Sequence, residues 1–267
     1  MCQSPQGLRG KNILVFAATG SIGSVTARHL AGQGAHVWLS ARNGEALDAL
    51  AREITARGGV ASTEIVDATS DHEVTAHVDR IAALGPIDGV FNAIGATPSD
   101  LGYPSISTTL DLDTFYRPLH LILGSTFLTS RAAARPMLAR GSGSIVTLSA
   151  SLTGSPVRWM AALTATCGAI ESLTRSLAVE FAPAGVRVNC VRGDAMPDTR
   201  TIPLTTAGMA ALAGVSPEAF MAQMPPPPSG RPVTTIDTAR TVAFLLSDAA
   251  AATSAQVINV AGQAMAG

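Results

Sequence analysis

Short apolar runs that break at a turn and give way to an amphipathic helix recur along this chain. That alternation limits the folds open to it more than any other feature. Asn12 to Ala17 (NILVFA) ends at a Gly-containing turn and reads as a buried parallel strand, and Ser24 to Ala31 then has helical spacing. Ala35 to Ser40 (AHVWLS) reads as a second strand and Glu45 to Arg57 as a strongly periodic helix. Strand-like ASTEIVD, helix-like DHEVTAHVDRIAAL and strand-like DGVFNAI follow in turn. A long helix is expected around Asp113 to Leu138, then the strand SIVTLSA and a helix from Val157 to Phe181. The strand VRVNCV, a helix near Asp237 to Ser247 and a last strand, QVINVA, complete the series. Such a pattern predicts an α/β fold: a doubly wound parallel sheet, Rossmann-like, of about seven strands in three layers α/β/α.

The whole chain, residues 1–267, is expected to form that single domain, and it carries no internal repeat. Only Gly193 to Thr235, rich in Pro, Thr and Ala and including PPPPSG, escapes the alternation; it reads as a lid or substrate loop. Charged residues make up 14% of the chain, against about a quarter in an average domain, so much of the surface is neutral. A homodimer or homotetramer is therefore expected. The formal net charge is −1 with no basic run, which leaves nucleic acid without an electrostatic footprint. Cys2, Cys167 and Cys190 are widely spaced and odd in number, forming neither a disulfide framework nor a metal pattern. MCQSPQGLRG at the start lacks the apolar run of a signal peptide and no segment reaches a membrane span, so a reduced cytoplasm is the expected setting.

AATGSIG, Ala17 to Gly23, lies between the first strand and the first helix. Gly20 and Gly23 let the backbone turn sharply and bring a helix N-terminus to a pyrophosphate, whose charge the free N–H groups favour. Such turns also occur for packing reasons, but the position at the first strand of this sheet favours a nucleotide. The second strand ends LSARN, with no carboxylate to hold a ribose 2′-hydroxyl; Arg42 suits a 2′-phosphate instead, which points to NADP(H). A solvated surface arginine is the plainer alternative. Asp67, at the end of the third strand, suits either the adenine amino group or a cap on the next helix.

By these residues the chain resembles the short-chain dehydrogenase/reductase family over nearly its whole length. PIDGVFNAIG, Pro86 to Gly95, is similar to that family's IDxLVNNAG stretch, with Asn92 kept and Ala93 in place of the second Asn. GSIVTLSAS, AIESLTRSLAVEFAPAGVRVNCV and TSAQVINVAGQ are similar to its fifth strand, its fifth helix with sixth strand, and its closing strand. The resemblance implies cofactor contacts at Ala17, Thr19, Gly20, Ser21, Ile22 and Gly23, at Arg42, at Asp67 and Ala68, and at Asn92 and Ala93. It also implies a catalytic Tyr with a Lys four residues on, a Ser ending the fifth strand and an Asn in the fourth helix. Alignment puts Leu163 and Cys167 at the Tyr and Lys positions, Ala150 at the Ser and Ile122 at the Asn. No shift of register restores the set: Lys11 is the only lysine, and the only tyrosines, Tyr103 and Tyr116, precede the fifth strand.

On one helical face, Leu163 and Cys167 make the expected pocket apolar and remove a fixed positive charge. Ketone reduction creates an alkoxide, and general acid help is typically worth about 10²–10⁴-fold. Three functions remain open. One is an NADP(H)-dependent oxidoreductase whose small, apolar substrate needs little acid help, such as an iminium ion or an activated alkene. A second is a non-redox cyclase, isomerase or dehydratase, and a third is a nucleotide-binding pseudoenzyme or sensor. Ser151 and Asp198 are the residual candidates for a polar role, and Ser149 and Ser151 flank Ala150 on the expected strand. Asp194 or Asp198 would partner a cationic substrate, or else cap turns in the loop. Cys167 suits a nucleophile or inert packing, and with no His near it in sequence the second is favoured. His120 falls off the pocket side of its helix, while Arg158 and Trp159 are expected to begin the fifth helix at the pocket mouth.

Overall fold

A computed structural model describes residues 7–223, 227 and 229–262; Cys2 and three prolines of PPPPSG, Pro225, Pro226 and Pro228, lie outside them. Strand β1 (Asn12–Phe16) leads to helix α1 (Ser21–Gly32), then β2 (His36–Ala41), α2 (Gly44–Ala56), β3 (Val60–Ile65), α3 (Asp71–Leu84) and β4 (Gly89–Asn92). The second half runs α4 (Pro98–Leu101), α5 (Leu112–Pro118), a π-helical turn (Leu119–Leu123), α6 (Gly124–Arg140), β5 (Gly143–Ala150) and α7 (Ala161–Phe181). It ends with β6 (Val186–Gly193), α8 (Thr201–Ala213), α9 (Pro217–Ala222), α10 (Thr235–Leu246) and β7 (Val257–Val260). All seven strands pair in parallel in the order β3-β2-β1-β4-β5-β6-β7.

Period-2 alternation along the strands creates the three layers. Ile13 and Val15 of β1 face α1, α2 and α10, packing with Leu30, Leu50 and Val242. Leu14 and Phe16 face the other way, onto Val78 of α3, Met137 of α6 and Phe181 of α7. Successive connections carry the chain outward from β1 in one direction and from β4 in the other. The crevice above the C-terminal ends of β1 and β4 is thus the switch point where ligands of such sheets bind. Among the described residues, no helix is long and apolar enough to cross a membrane.

Four local expectations need correction. The long fourth helix is not continuous. Pro118 ends α5, because its ring removes an N–H donor, and the π turn Leu119–Leu123 follows. The fifth helix starts at Ala161 rather than Val157, since Trp159 sits at φ 66°, outside the helical region. Arg158 and Trp159 therefore stand in the turn before α7, the guanidinium 4.5 Å from the indole centroid. The third strand stops at Ile65, because Asp67 turns the chain by accepting hydrogen bonds from the Thr69 amide (2.9 Å) and hydroxyl (2.7 Å). Ser70, not Asp67, caps α3. Finally, residues 193–235 include regular structure, α8 and α9; Pro203 falls in the first turn of α8, where a missing N–H costs nothing, and Gly214 ends it at φ 71°.

Candidate active site

The switch-point end is built on backbone. Ala17 leaves β1 at φ 55°, a left-handed conformation, and its carbonyl accepts the Gly20 N–H at 3.0 Å. Gly20, the N-cap of α1, offers no side chain to the first turn, so the amides of Ser21, Ile22 and Gly23 have no intrahelical acceptor and no side-chain cap. A Cβ on Gly23 would stand 2.4 Å from the Ala17 carbonyl oxygen, so the close turn requires glycine there. Arg42 is exposed at the exit of β2. Thr69, and more weakly the Arg42 charge, hold Asp67 below the usual carboxylate range. Ala68 packs on the core face below. Asn92, almost fully buried, braces the end of β4: its amide donates to Thr129 at 3.0 Å and its oxygen accepts the Ile94 N–H at 2.8 Å. Ala93 donates its N–H to Phe16 at 3.2 Å, locking β4 beside β1.

At the other side of the same sheet end, Ile122, Ala150 and Leu163 meet. Ile122 sits in the π turn and packs in one apolar cluster with Leu163, Ile170 and Leu101. Leu163 also belongs to a second cluster with Ala150, Leu152, Met160 and, from α8, Met209. Cys167, one turn after Leu163, is buried, and that burial pushes its thiol up to about 12 despite a hydrogen bond from the Ala150 backbone. A thiol so held is inert as a nucleophile at neutral pH. Tyr103, from the connection after α4, joins both clusters and fills the space between Leu163 and α8. Burial first, and then Cys167, push its phenol to about 12, although it hydrogen bonds with Thr205.

Each polar candidate has a partner. Ser151 does not continue β5 but opens a short 3-10 turn, and its hydroxyl donates to Asp194 at 2.8 Å. Asp198 accepts the Thr235 N–H at 3.0 Å and its hydroxyl at 2.7 Å, pinning residues 198–199 to the start of α10. His120 is exposed and stacks on Tyr116, 5.7 Å between centroids.

Beneath Cys167 lies a buried ion pair that sequence reasoning missed. Glu171 of α7 and Arg192 of β6 are 2.6 Å apart, with side chains 5% and 7% exposed. Arg192 Nε donates to Glu171 Oε1 at 2.9 Å, Thr153 and Ser149 donate hydroxyls to the same oxygen at 2.7 and 3.0 Å, and Arg192 Nη1 reaches Asn259 at 3.2 Å. Burial opposes its ionisation, yet Arg192 and the two hydroxyls hold Glu171 below the usual carboxylate range. A signal existed: Glu171 stands four residues past Cys167 on the same helical face, and Arg192 interrupts an apolar strand.

A family model described as enoyl-(acyl carrier protein) reductase matches residues 16–262. The chain is 31% identical to the 7alpha-hydroxysteroid dehydrogenase of Clostridium sardiniense, over 96% of this chain and 93% of that one. It is 35% identical to the "Inactive 2-(S)-hydroxypropyl-CoM dehydrogenase 2" of Xanthobacter autotrophicus, over 86% of this chain and 94% of that one. The crystal structure of a point variant of actinorhodin polyketide ketoreductase with NADPH superposes with a TM-score of 0.86 at 28% identity, over 95% of this chain and 96% of the other.

Proposed function

Because the chain belongs to the short-chain dehydrogenase/reductase family of oxidoreductases, we propose that it is an NADP(H)-dependent member acting by hydride transfer on an apolar substrate that needs little acid help, an iminium ion or an activated alkene. One observation carries this reading. The backbone turn Ala17–Gly23 keeps its uncapped amides, while the apolar clusters that hold Ile122, Ala150 and Leu163, with buried Cys167 one turn on, contain no acidic or cationic side chain.

The turn fits a dinucleotide: a diphosphate would satisfy the free amides of Ser21, Ile22 and Gly23, and Gly23 admits the close approach. Arg42 would take the 2′-phosphate, which its forked donors match. When bound, NADP(H) supplies or accepts a hydride. The chain's own residues position the substrate, exclude water and decide which protons can move. Tyr103 is the only phenol near Leu163, and with its pKa at about 12 it is a weaker acid than a free tyrosine. Lys11, the sole lysine, pairs with Asp248 at 2.6 Å and stands just before β1, at the opposite end of the strands, so no ammonium assists that phenol. An iminium carbon is already cationic and needs no proton at the moment of transfer. The carboxylates that would balance such a cation are Asp194, held by Ser151 at the end of β5, and Asp198, held by Thr235 at the start of α10.

Residues 193–235 act in this reading as a lid, since Met209 of α8 closes over Leu152, Met160 and Leu163. Exposed Leu112, Tyr116 and Phe127 along α5 and α6, with Val179 on α7, give an apolar face for a homodimer or homotetramer. A fluorescence titration with NADPH and NADH tests the cofactor assignment. NADPH should bind at least about 10-fold tighter, and Arg42→Ala should erase most of that ratio. An unchanged ratio would remove the argument from the guanidinium. A second reading, a nucleotide-binding pseudoenzyme, is favoured by the relative named inactive.

A further inference from the structure

Residues Ala17–Gly23 contain no charged side chain, so a diphosphate on that turn would meet only neutral amides and hydroxyls from it. A cation reaches the turn from elsewhere in the chain. Arg200, immediately before α8, donates its backbone N–H to Ser21 Oγ at 3.1 Å, and its Nη2 rests on the Thr19 carbonyl at 3.4 Å. Arg200 is exposed and has no carboxylate partner among the described residues. Its placement is not casual. Asp198, two residues earlier, is fixed to Thr235, and the Thr199 hydroxyl donates to Met196 at 2.8 Å.

We propose that Arg200 is a diphosphate-binding residue, carried to the cofactor turn by the segment just before α8. This rests on the dinucleotide reading above. The physical reason is an exchange of partners. A guanidinium 3.4 Å from a neutral carbonyl makes a long, weak hydrogen bond. A diphosphate at the same turn offers that fork charged oxygens, and such charge-assisted bonds are shorter and roughly twice as strong. Arg200 would thus move from Thr19 to the ligand with its backbone still held by Ser21. Arg42 and Arg200 divide the ligand, one at the 2′-phosphate and one at the diphosphate.

Three probes separate these contacts in the full chain: NADPH, ADP-ribose 2′-phosphate, and adenosine 2′-monophosphate, which lacks the diphosphate. Arg200→Gln should weaken the first two by about 10-fold or more and change the third by less than about 2-fold. Arg200→Lys should recover part of the loss, and the salt dependence of NADPH binding should be shallower in Arg200→Gln. Equal NADPH affinity in parent and variant would overturn the proposal, as would an equal loss for all three probes, which signals general damage to the turn. A parent that binds none of the three would overturn the dinucleotide reading itself, and this proposal with it.

Discussion

Glu171 and Arg192 show how much a single buried pair can bind together: α7, β5, β6 and β7 all contribute a hydrogen bond to it. Charges so deep are stable only as a set, since each loses its hydration and regains it from fixed partners. Glu171→Gln would leave the Arg192 cation buried without its carboxylate, and the expected loss is about 3–5 kcal/mol of unfolding free energy in urea titrations. Replacing both residues by Met should cost less than Glu171→Gln alone, because no charge is then stranded. Losses that simply add would mean the two side chains stabilise the fold separately. Burial, far more than the pair beneath it, raises the Cys167 thiol to about 12, so it stays protonated at neutral pH and makes a poor substitute base.

Helix α3 is legible to the residue, Asp71 to Leu84, from its apolar period, although the cap is Ser70 and not Asp67. The fourth and fifth helices were read with the wrong ends, because Pro118 and the turn around Trp159 act through backbone geometry that apolar periodicity does not register. One consequence of α3 packing escaped the sequence entirely. His77 is 1% exposed, its ring edge-on to Phe16 with centroids 5.6 Å apart. Its Nδ1 donates to Glu64 at 2.6 Å, while its buried Nε2 has no partner. Burial lowers its pKa from 6.5 to about 4, so the folded protein keeps the ring neutral where the unfolded chain would protonate it. Stability is therefore full above pH 6.5 and falls as the pH drops toward 4. Between pH 7.5 and 5.0 this one group should cost about 2 kcal/mol. His77→Gln, which keeps an amide donor for Glu64 and does not titrate, should lose that much less over the same interval in urea unfolding. Parallel pH profiles for parent and variant would assign the acid sensitivity elsewhere.

Over the whole molecule, the parallel sheet of seven strands and its three layers follow from alternation that the sequence displays openly, whereas the order of the strands is read from the structure alone. The contents of the pocket were legible only in part. Ile122, Ala150, Leu163 and Cys167 could be placed by alignment, whereas Tyr103 and Arg200 reach the same sheet end from connections whose path no local pattern encodes. Assembly belongs to this scale too: the exposed Leu112, Tyr116, Phe127 and Val179 should be covered by a second copy, and sedimentation at micromolar concentration should find a dimer or tetramer. Monomer alone would leave that apolar face unexplained. The central claim is that the nucleotide end is kept while the proton-donating end is not, and one assay addresses it directly. NADPH oxidation by the purified parent is followed with simple ketones and, in parallel, with cyclic iminium ions and activated alkenes. Ketone rates should be indistinguishable from the enzyme-free control, with turnover confined to iminium ions or activated alkenes. Reduction of plain ketones at ordinary enzymatic rates, about 1 s⁻¹ or faster, would contradict it and show that another group supplies the proton.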